Sequence, residues 1–574
     1  MGYVLAQPQA MAAAAADVEA LVSTINEAKA AAARATTGLI GAGADEVSAA
    51  IATFFNTYAQ ECQAVIGQAA LLHGEFAQSL AAAGNAYANA EAVNLSALAA
   101  PLRALSASPQ TGGALTALTP AAMTGQIVTF VMAGSGTPTP SSDFVNNIFN
   151  TYVVPNFPVG LPPLGLSLPA GEYPNTGVKD LTQDVSIARG VTILNNAIQE
   201  QLKAGNTINV VGYSQSANVA SLEMRLLAPG NVPSSLPISF VLLGNSMNPN
   251  GGWDARFPGL SLPSIGFTTL GAAPTNSFPT KVYTIEYDGW ADFPQYPINI
   301  VSDLNALAGM VTVHTGYESL TSTQLSSAVV LPTQNPSTTT FYMIPSQNLP
   351  LLEPLRYIPY VGDPMADFVQ PILRPLVNWG YGDPNYGWST GPPDVPTPFG
   401  FLPPLSATLA LGPAMLNGIP QGIAAATNTL YAQGLPQLPS LQGLTDALTS
   451  LSSGPLALPS GPSSITDILR GLQTANTQVV GYATNAFTTA YGILQPTADI
   501  ATAAFVSVPS YDVNLFLNGM IQMASGQPLD GLLNAFGTPI AANVGLLPLL
   551  GGFELAVLAE AADSILTGTP NPSP

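Results

Sequence analysis

The sequence predicts a multidomain protein: an all-α helical hairpin, then a mostly parallel sheet with helices on both faces, then a mainly helical or irregular region. Residues 1–94 carry apolar positions at helical spacing. Residues 121–405 alternate short β-branched runs with helical patterns, which is typical of α/β domains. Residues 406–574 are rich in Ala, Leu, Pro and Gly, and residues 95–120 form a Ser/Ala/Thr/Pro linker.

Composition narrows the range of functions. Only 8% of the 574 residues are charged and the formal net charge is −21, so the chain offers no basic surface and nucleic-acid binding is excluded. Cys62 is the only cysteine, which excludes an intramolecular disulfide and any multi-cysteine metal site. The N-terminus lacks a positively charged segment before an apolar run, so a cleaved Sec signal peptide is not expected.

The N-terminal region reads as two helices. Apolar positions from Val47 to Leu80 recur at steps that mostly alternate four and three residues, and the Thr- and Gly-rich stretch 36–43 interrupts the pattern. We therefore predict an αα-hairpin. Because two helices cannot bury both of their apolar sides, a partner helix pair is the natural complement.

Motifs in this hairpin resemble the mycobacterial PE domain. They are the opening M-x-x-V-x-A-x-P-x-A-x-A-A-A-A-A-D, the later A-G-A-D-E-V-S-A-A-I-A and the closing A-A-A-G-N-A-Y-A-N-A-E, with Pro8-Gln9 where the family usually has Pro-Glu. The resemblance implies pairing with a PPE-family protein and export by type VII secretion machinery, whose Tyr-x-x-x-Asp/Glu signal Tyr87 and Glu91 match. The expected location is secreted, at the cell surface or in the cell envelope.

The middle region contains a strand, a sharp turn and a helix around Ser214. In the stretch I-N-V-V-G-Y-S-Q-S, an apolar run beginning at Ile208 meets Gly212, and an amphipathic pattern follows the serine. This is where an α/β-hydrolase holds its nucleophile. The last motif position is Ser216 rather than glycine, and on the motif alone a simple turn serine is an equally good interpretation.

A nucleophilic serine needs a base, and the chain has two histidines. His73 lies on the N-terminal hairpin, where an ordinary helix-surface histidine is the simpler interpretation. His314 follows the serine and the acid candidates in the Ser, Asp/Glu, His order of α/β-hydrolases. After the strand predicted at 281–287, the sequence D-G-W-A-D-F-P supplies the acid. We favour Asp292, since a Gly-x-x-Asp turn suits a carboxylate turned back toward the sheet, with Asp288 as the alternative.

An oxyanion hole needs two backbone N–H groups. Gln215, directly after the serine, is predicted to supply one. The Gly134-Ser135-Gly136 loop, which follows the strand predicted at 126–132, is predicted to supply the other. This chemistry needs no metal or organic cofactor.

Residues 121–405 resemble, as a unit, the PE-PPE domain, a serine hydrolase module related to cutinases and lipases. The matching stretches include G-Y-S-Q-S-A, V-L-L-G-N-S-M-N-P-N-G-G, Y-D-G-W-A-D-F-P and V-H-T-G-Y. The resemblance implies esterase activity on acyl esters and accepts Gly-x-Ser-x-Ser as a variant.

Two functions follow as hypotheses. The first is an exported serine esterase, lipase-type hydrolase or acyltransferase acting on an acyl-ester or lipid substrate through a Ser-His-Asp triad. The alternative is a catalytically inactive surface protein that assembles through the hairpin and the region 406–574. We expect that region, whose role the sequence does not indicate, to form short, loosely packed helices. For the protein as a whole, peripheral association with the envelope is a further hypothesis.

Overall fold

The computed structural model describes residues 125–433 and 492–567 continuously, with isolated residues between 23 and 60 and between 470 and 489. The chain divides into two compact units, Met1–Ala122 and Met123–Pro574. In the first unit the side chain of Asn56 accepts from the N–H of Leu39 and donates to its carbonyl, both at 2.8 Å. The predicted linker and the export residues Tyr87 and Glu91 lie outside the described residues.

The second unit is built on a seven-stranded sheet in the order β2-β1-β3-β4-β7-β9-β8. Six strands are parallel, and β8 is antiparallel to β9 at one edge. The mostly parallel sheet that the sequence predicts is therefore confirmed. The strands, including a separate two-stranded pair β5-β6, are β1 (Ile127–Val131), β2 (Leu164–Gly165), β3 (Thr207–Tyr213), β4 (Ile238–Leu243), β5 (Ser261–Leu262), β6 (Phe267–Thr268), β7 (Thr280–Ile285), β8 (Val329–Leu331) and β9 (Thr339–Ile344).

Helices connect the strands and continue beyond the sheet. They are α1 (Ser142–Ile148), α2 (Gln183–Lys203), α3 (Gln215–Leu227), α4 (Trp253–Arg256), α5 (Ile300–Thr312), α6 (Ser322–Ser326), α7 (Glu353–Arg356), α8 (Gly362–Trp379), α9 (Leu405–Gln433), α10 (Leu494–Thr502), α11 (Val508–Ala524) and α12 (Pro528–Thr567). A 3₁₀ turn, His314–Ser319, follows α5.

Both faces of the sheet are covered by helices. Side chains of β3 point alternately to the two faces and join a different buried cluster on each. Ile208 and Val210 join a buried cluster with Leu194 and Ile198 of α2 on one face. Val211 joins a second cluster, with residues of α1, on the other. Every residue from Ile208 to Gly212 is buried, and most of their side chains are apolar. Both features are expected for a central parallel strand.

The expectation of short, loosely packed helices after residue 405 is wrong for the described part of that region. Helix α9 has 29 residues and α12 has 40. Prolines inside these helices, which the sequence pattern marks as breaks, are accommodated within them. Small residues allow close packing: a Cβ on Gly519 of α11 would lie 2.3 Å from the backbone nitrogen of Ala535 in α12.

Part of α12 completes the core of the second unit. Its buried side chains Leu546, Leu549, Leu550 and Phe553 belong to one cluster with Trp253, Phe257 and Phe293. By length and hydropathy, Leu494–Ala524 and Pro528–Thr567 could each cross a membrane. In the second of these, 44% of the most apolar window is buried in the protein, so this stretch acts at least partly as core.

Candidate active site

Ser214 lies at a strained turn between β3 and α3. Its φ of 58° and ψ of −126° are unusual for a residue with a side chain. The turn is tight: a Cβ on Gly212 would lie 2.5 Å from the carbonyl oxygen of Ser216. Gly134 is also required, since a Cβ there would lie 2.8 Å from the Cβ of Ser214. This backbone lifts the serine hydroxyl off the end of the strand.

Ser216 fits the position where glycine is commoner because its hydroxyl stays inside the turn. Its Oγ accepts from the N–H of Tyr213 at 2.8 Å, and it lies 3.1 Å from the carbonyl of Met132. The residue is 1% exposed. The Ser216 hydroxyl therefore links the turn to Met132, directly after β1, and does not obstruct the neighbouring strand.

The structure brings Ser214, His314 and Asp288 together. His314 Nε2 is 2.8 Å from Ser214 Oγ, and His314 Nδ1 is 2.8 Å from Oδ1 and 2.9 Å from Oδ2 of Asp288. The His314 carbonyl accepts from the Tyr213 hydroxyl at 2.8 Å, and the two rings are stacked. An imidazole held between a carboxylate and a serine hydroxyl can remove the hydroxyl proton during nucleophilic attack.

The favoured acid, Asp292, is not the residue that contacts His314. Directly after β7 the chain turns, and the N–H of Asp292 donates to the carbonyl of Asp288. This turn carries the Asp292 side chain back to the strand end, where Oδ2 accepts from the N–H of Tyr287 at 3.0 Å. Asp288, the alternative, lies at the end of the strand and faces the histidine.

Asp292 is instead buried in the neighbourhood of Arg256. Burial raises its pKa well above the usual range, while nearby Arg256 opposes this effect. Burial also lowers the pKa of Arg256 to about 10. The Arg256 guanidinium donates to the carbonyls of Phe293 and Thr397 and to Ser389, so Arg256 links the loops that carry these residues.

Tyr317, which the sequence reasoning missed, orients the acid. Its hydroxyl donates to Asp288 Oδ2 at 2.7 Å and accepts from the N–H of Ile285 at 3.0 Å. Burial, followed by the charge of Asp288, raises the pKa of Tyr317 well above its ordinary value, so the hydroxyl keeps its proton. Its position three residues after His314, in V-H-T-G-Y, is the signal that could have found it.

The predicted oxyanion donors border the same cavity. The backbone N–H groups of Gln215 and Ser135 donate to no residue in the described part of the chain, whereas that of Gly136 donates to Ala170 at 2.7 Å. Ser135 and Gln215 both line the cavity beside Ser214. Within the predicted 134–136 loop, neither the N–H of Gly134 nor that of Ser135 donates to a described residue, and of the two only Ser135 lines the cavity.

The cavity is small and mostly polar. Its volume is about 20 Å³, and its lining residues are Ser135, Glu172, Gln183, Ser214, Gln215, Asn218, Gly244, Ser246, Trp290 and His314. Enclosure raises the pKa of half-buried Glu172, and a hydrogen bond with Ser135 and the proximity of His314 partly oppose this. Sequence reasoning did not find Glu172 or Gln183, since no motif marks them, and it gave no role to Trp290 although this residue lies within Y-D-G-W-A-D-F-P.

Two family models match the chain. Residues 4–94 match the PE family and residues 159–382 match the PE-PPE domain. The second match contains Ser214, Asp288 and His314 but begins after β1 and the 134–136 loop.

Relatives from Mycobacterium tuberculosis (strain ATCC 25618 / H37Rv) align with most of the chain. "Esterase PE16" is 38% identical over 99% of this chain and 99% of its own length. "Uncharacterized PPE family protein PPE28" is 42% identical over 95% of this chain and 83% of its own length. "PE family protein PE3" is 42% identical over 82% of this chain and 96% of its own length.

A solved structure of a novel cutinase-like protein from Cryptococcus sp. aligns with 34% of this chain and 87% of its own, at 16% identity and a TM-score of 0.22.

Proposed function

Because this chain belongs to the PE family and carries a PE-PPE domain, we propose that it is a serine esterase that cleaves acyl esters through an acyl-enzyme formed on Ser214. The observation that carries the proposal is the continuous series of contacts from Ser214 Oγ through His314 to Asp288, each at 2.8 Å. The name of the relative PE16, an esterase, supports the same reaction class.

In the proposed reaction, Ser214 Oγ attacks the ester carbonyl while His314 Nε2 takes the hydroxyl proton. Asp288 accepts a hydrogen bond from the Nδ1–H of His314, stays ionised and stabilises the imidazolium that forms. The N–H groups of Gln215 and Ser135 stabilise the oxyanion of the tetrahedral intermediate. His314 then returns the proton to the leaving alcohol, which departs as the acyl-enzyme forms.

The acyl-enzyme reacts next with a hydroxyl acceptor. His314 removes a proton from water or from an alcohol, whose oxygen attacks the acyl carbon and releases Ser214. Water gives hydrolysis and an alcohol gives acyl transfer. Measuring free acid and new ester from one labelled substrate separates the two outcomes.

The test uses the full chain, because α12 contributes to the core that supports the site. We expect turnover of p-nitrophenyl butyrate and labelling of Ser214 by a fluorophosphonate probe, both abolished in Ser214→Ala. A fold without activity, the alternative function, would leave the wild-type chain unlabelled. Undiminished turnover in Ser214→Ala would contradict the proposal.

We also propose that residues 1–94 pair with a PPE-family protein and direct export by type VII secretion to the cell surface or envelope. The match of residues 4–94 to the PE family supports this. Tyr87→Ala or Glu91→Ala should retain the chain inside the cell while leaving the esterase activity of purified protein unchanged. Normal export of both variants would contradict this assignment of the signal.

A further inference from the structure

Gln183 lines the cavity beside Ser214 and carries a side-chain oxygen that has no hydrogen-bond partner among the described residues. It is the first residue of α2, is 8% exposed, and its side chain lines the cavity. Its Oε1 is buried and accepts no hydrogen bond from any residue in the described parts of the chain. Buried polar atoms are normally satisfied, so an enclosed acceptor at a substrate cavity indicates a ligand that donates to it.

Neighbouring polar side chains are already engaged with one another. Ser246 Oγ donates to Asp254 Oδ2 at 2.6 Å and lies 2.9 Å from Asn218 Oδ1. Gln215 Oε1 accepts from the hydroxyl of Ser186 at 2.9 Å. These contacts hold the side chains of the cavity wall in place. Among the described residues that line the cavity, Gln183 carries the buried side-chain oxygen that has no partner.

Glu172 provides a second polar group in the same wall. Its carboxyl hydrogen-bonds with Ser135, and enclosure raises its pKa. Its backbone is held by a hydrogen bond from its N–H to Thr176 Oγ1 at 2.7 Å. The cavity therefore offers two polar side chains, Gln183 and Glu172, to a bound group.

The size of the cavity determines which chemical group of a ligand fits into it. At about 20 Å³ it exceeds the roughly 10–15 Å³ that a water-sized group needs, which matches a single hydroxyl. Trp290 adds an apolar surface to a wall that is otherwise mostly polar. Since Ser214 lines the same cavity, the bound group must lie within a few atoms of the scissile carbonyl.

We propose that Gln183 and Glu172 form a subsite for a hydroxyl group carried by the ester substrate close to the scissile bond. The hydroxyl donates to Gln183 Oε1, and Glu172 lines the same cavity. The inference rests on the proposed esterase function and adds the substrate class: esters with a free hydroxyl on the acyl or the alcohol side.

Four esters test the subsite with the full chain. Methyl 3-hydroxybutyrate against methyl butyrate probes a hydroxyl on the acyl side, and glycerol 1-monobutyrate against propyl butyrate probes the alcohol side. We expect the hydroxylated ester of one pair to have a kcat/KM at least tenfold higher than its counterpart, because an unpaired buried acceptor penalises a substrate that lacks the hydroxyl. The pair that shows the preference identifies the side.

Gln183→Met keeps the length of the side chain and removes the acceptor, so it should reduce that ratio about tenfold. Gln199→Met, further along the same helix and outside the cavity lining, is the matched control and should keep the wild-type ratio. Equal kcat/KM within both pairs for the wild-type enzyme would overturn the subsite and needs no variant. A preference that survives Gln183→Met would also overturn it. A chain that cleaves none of the four esters and resists fluorophosphonate labelling would instead refute the esterase function itself.

Discussion

His314 Nδ1 lies between the two carboxylate oxygens of Asp288, at 2.8 and 2.9 Å, whereas the carboxylate of Asp292 faces the backbone of Tyr287. Substitution of Asp288 and substitution of Asp292 should therefore have different effects on kcat. Asp288→Asn should lower kcat roughly 10³- to 10⁴-fold, because an amide in this position favours the wrong imidazole tautomer. Asp292→Asn should keep kcat within about threefold, since its side chain does not contact the histidine. Steady-state kinetics with p-nitrophenyl butyrate separates these results, and a larger loss in Asp292→Asn would contradict the assignment.

Sequence reasoning reached the strand-turn-helix around Ser214 and the pairing with His314, because local pattern and the scarcity of histidine determine both. It chose Asp292 over Asp288 wrongly, since the direction of each carboxylate depends on the turn between them and on the bond from the N–H of Tyr287 to Asp292, which no sequence pattern marks. Strands such as β2, of two residues, carry too little pattern to be recognised. The long helices after residue 405 were missed because tertiary packing tolerates prolines that local rules treat as breaks.

Tyr317 should contribute to catalysis through Asp288. Tyr317→Phe removes the donor to Asp288 Oδ2 and leaves the N–H of Ile285 without its acceptor. We expect kcat to fall about tenfold with little change in KM, because the hydroxyl orients the acid and does not contact substrate. Tyr342→Phe, on the neighbouring strand β9, is the control and should retain kcat. A change in KM alone would argue against this positioning role.

Ser216 should stabilise the turn that holds Ser214. In Ser216→Ala the buried N–H of Tyr213 loses its acceptor, so the free energy of unfolding should fall by about 1–3 kcal/mol. Urea unfolding followed by tryptophan fluorescence measures the change. Ser326→Ala removes a hydroxyl from an exposed helix position and should change the free energy by less than about 0.5 kcal/mol. Equal stability of the Ser216→Ala variant and the wild-type chain would show that the hydroxyl is dispensable.

Glu223, buried on α3, should make stability depend on pH. Burial raises its pKa from 4.5 to about 7, and neither carboxyl oxygen has a partner among the described residues. Between these pH values the folded protein holds a proton that the unfolded chain has lost. The free energy of unfolding therefore falls as pH rises, and the full penalty is present above about pH 7.

Glu223→Gln removes this titration. Relative to the wild-type chain, the free energy of unfolding of the variant should rise by about 1–2 kcal/mol between pH 4 and pH 8. This is less than the full shift of the Glu223 pKa would give, because solvent reorganises around the ionised carboxylate. Glu200→Gln, at an exposed position of α2, should show no such gain. Parallel stability curves for Glu223→Gln and the wild-type chain would refute the prediction.

Leu546 tests whether α12 is part of the core of the catalytic unit. Its side chain is 1% exposed and belongs to the cluster with Trp253 and Phe257, whereas the adjacent Leu547 is 46% exposed. Leu546→Ala should lower the free energy of unfolding by about 2–5 kcal/mol, because it removes buried methyl groups and leaves a cavity. Leu547→Ala should change it by less than about 1 kcal/mol. Both variants leave Ser214 and His314 untouched, so the activity of the folded fraction should stay at the wild-type level. Equal stability losses in the two variants would mean that α12 does not pack on this core in solution.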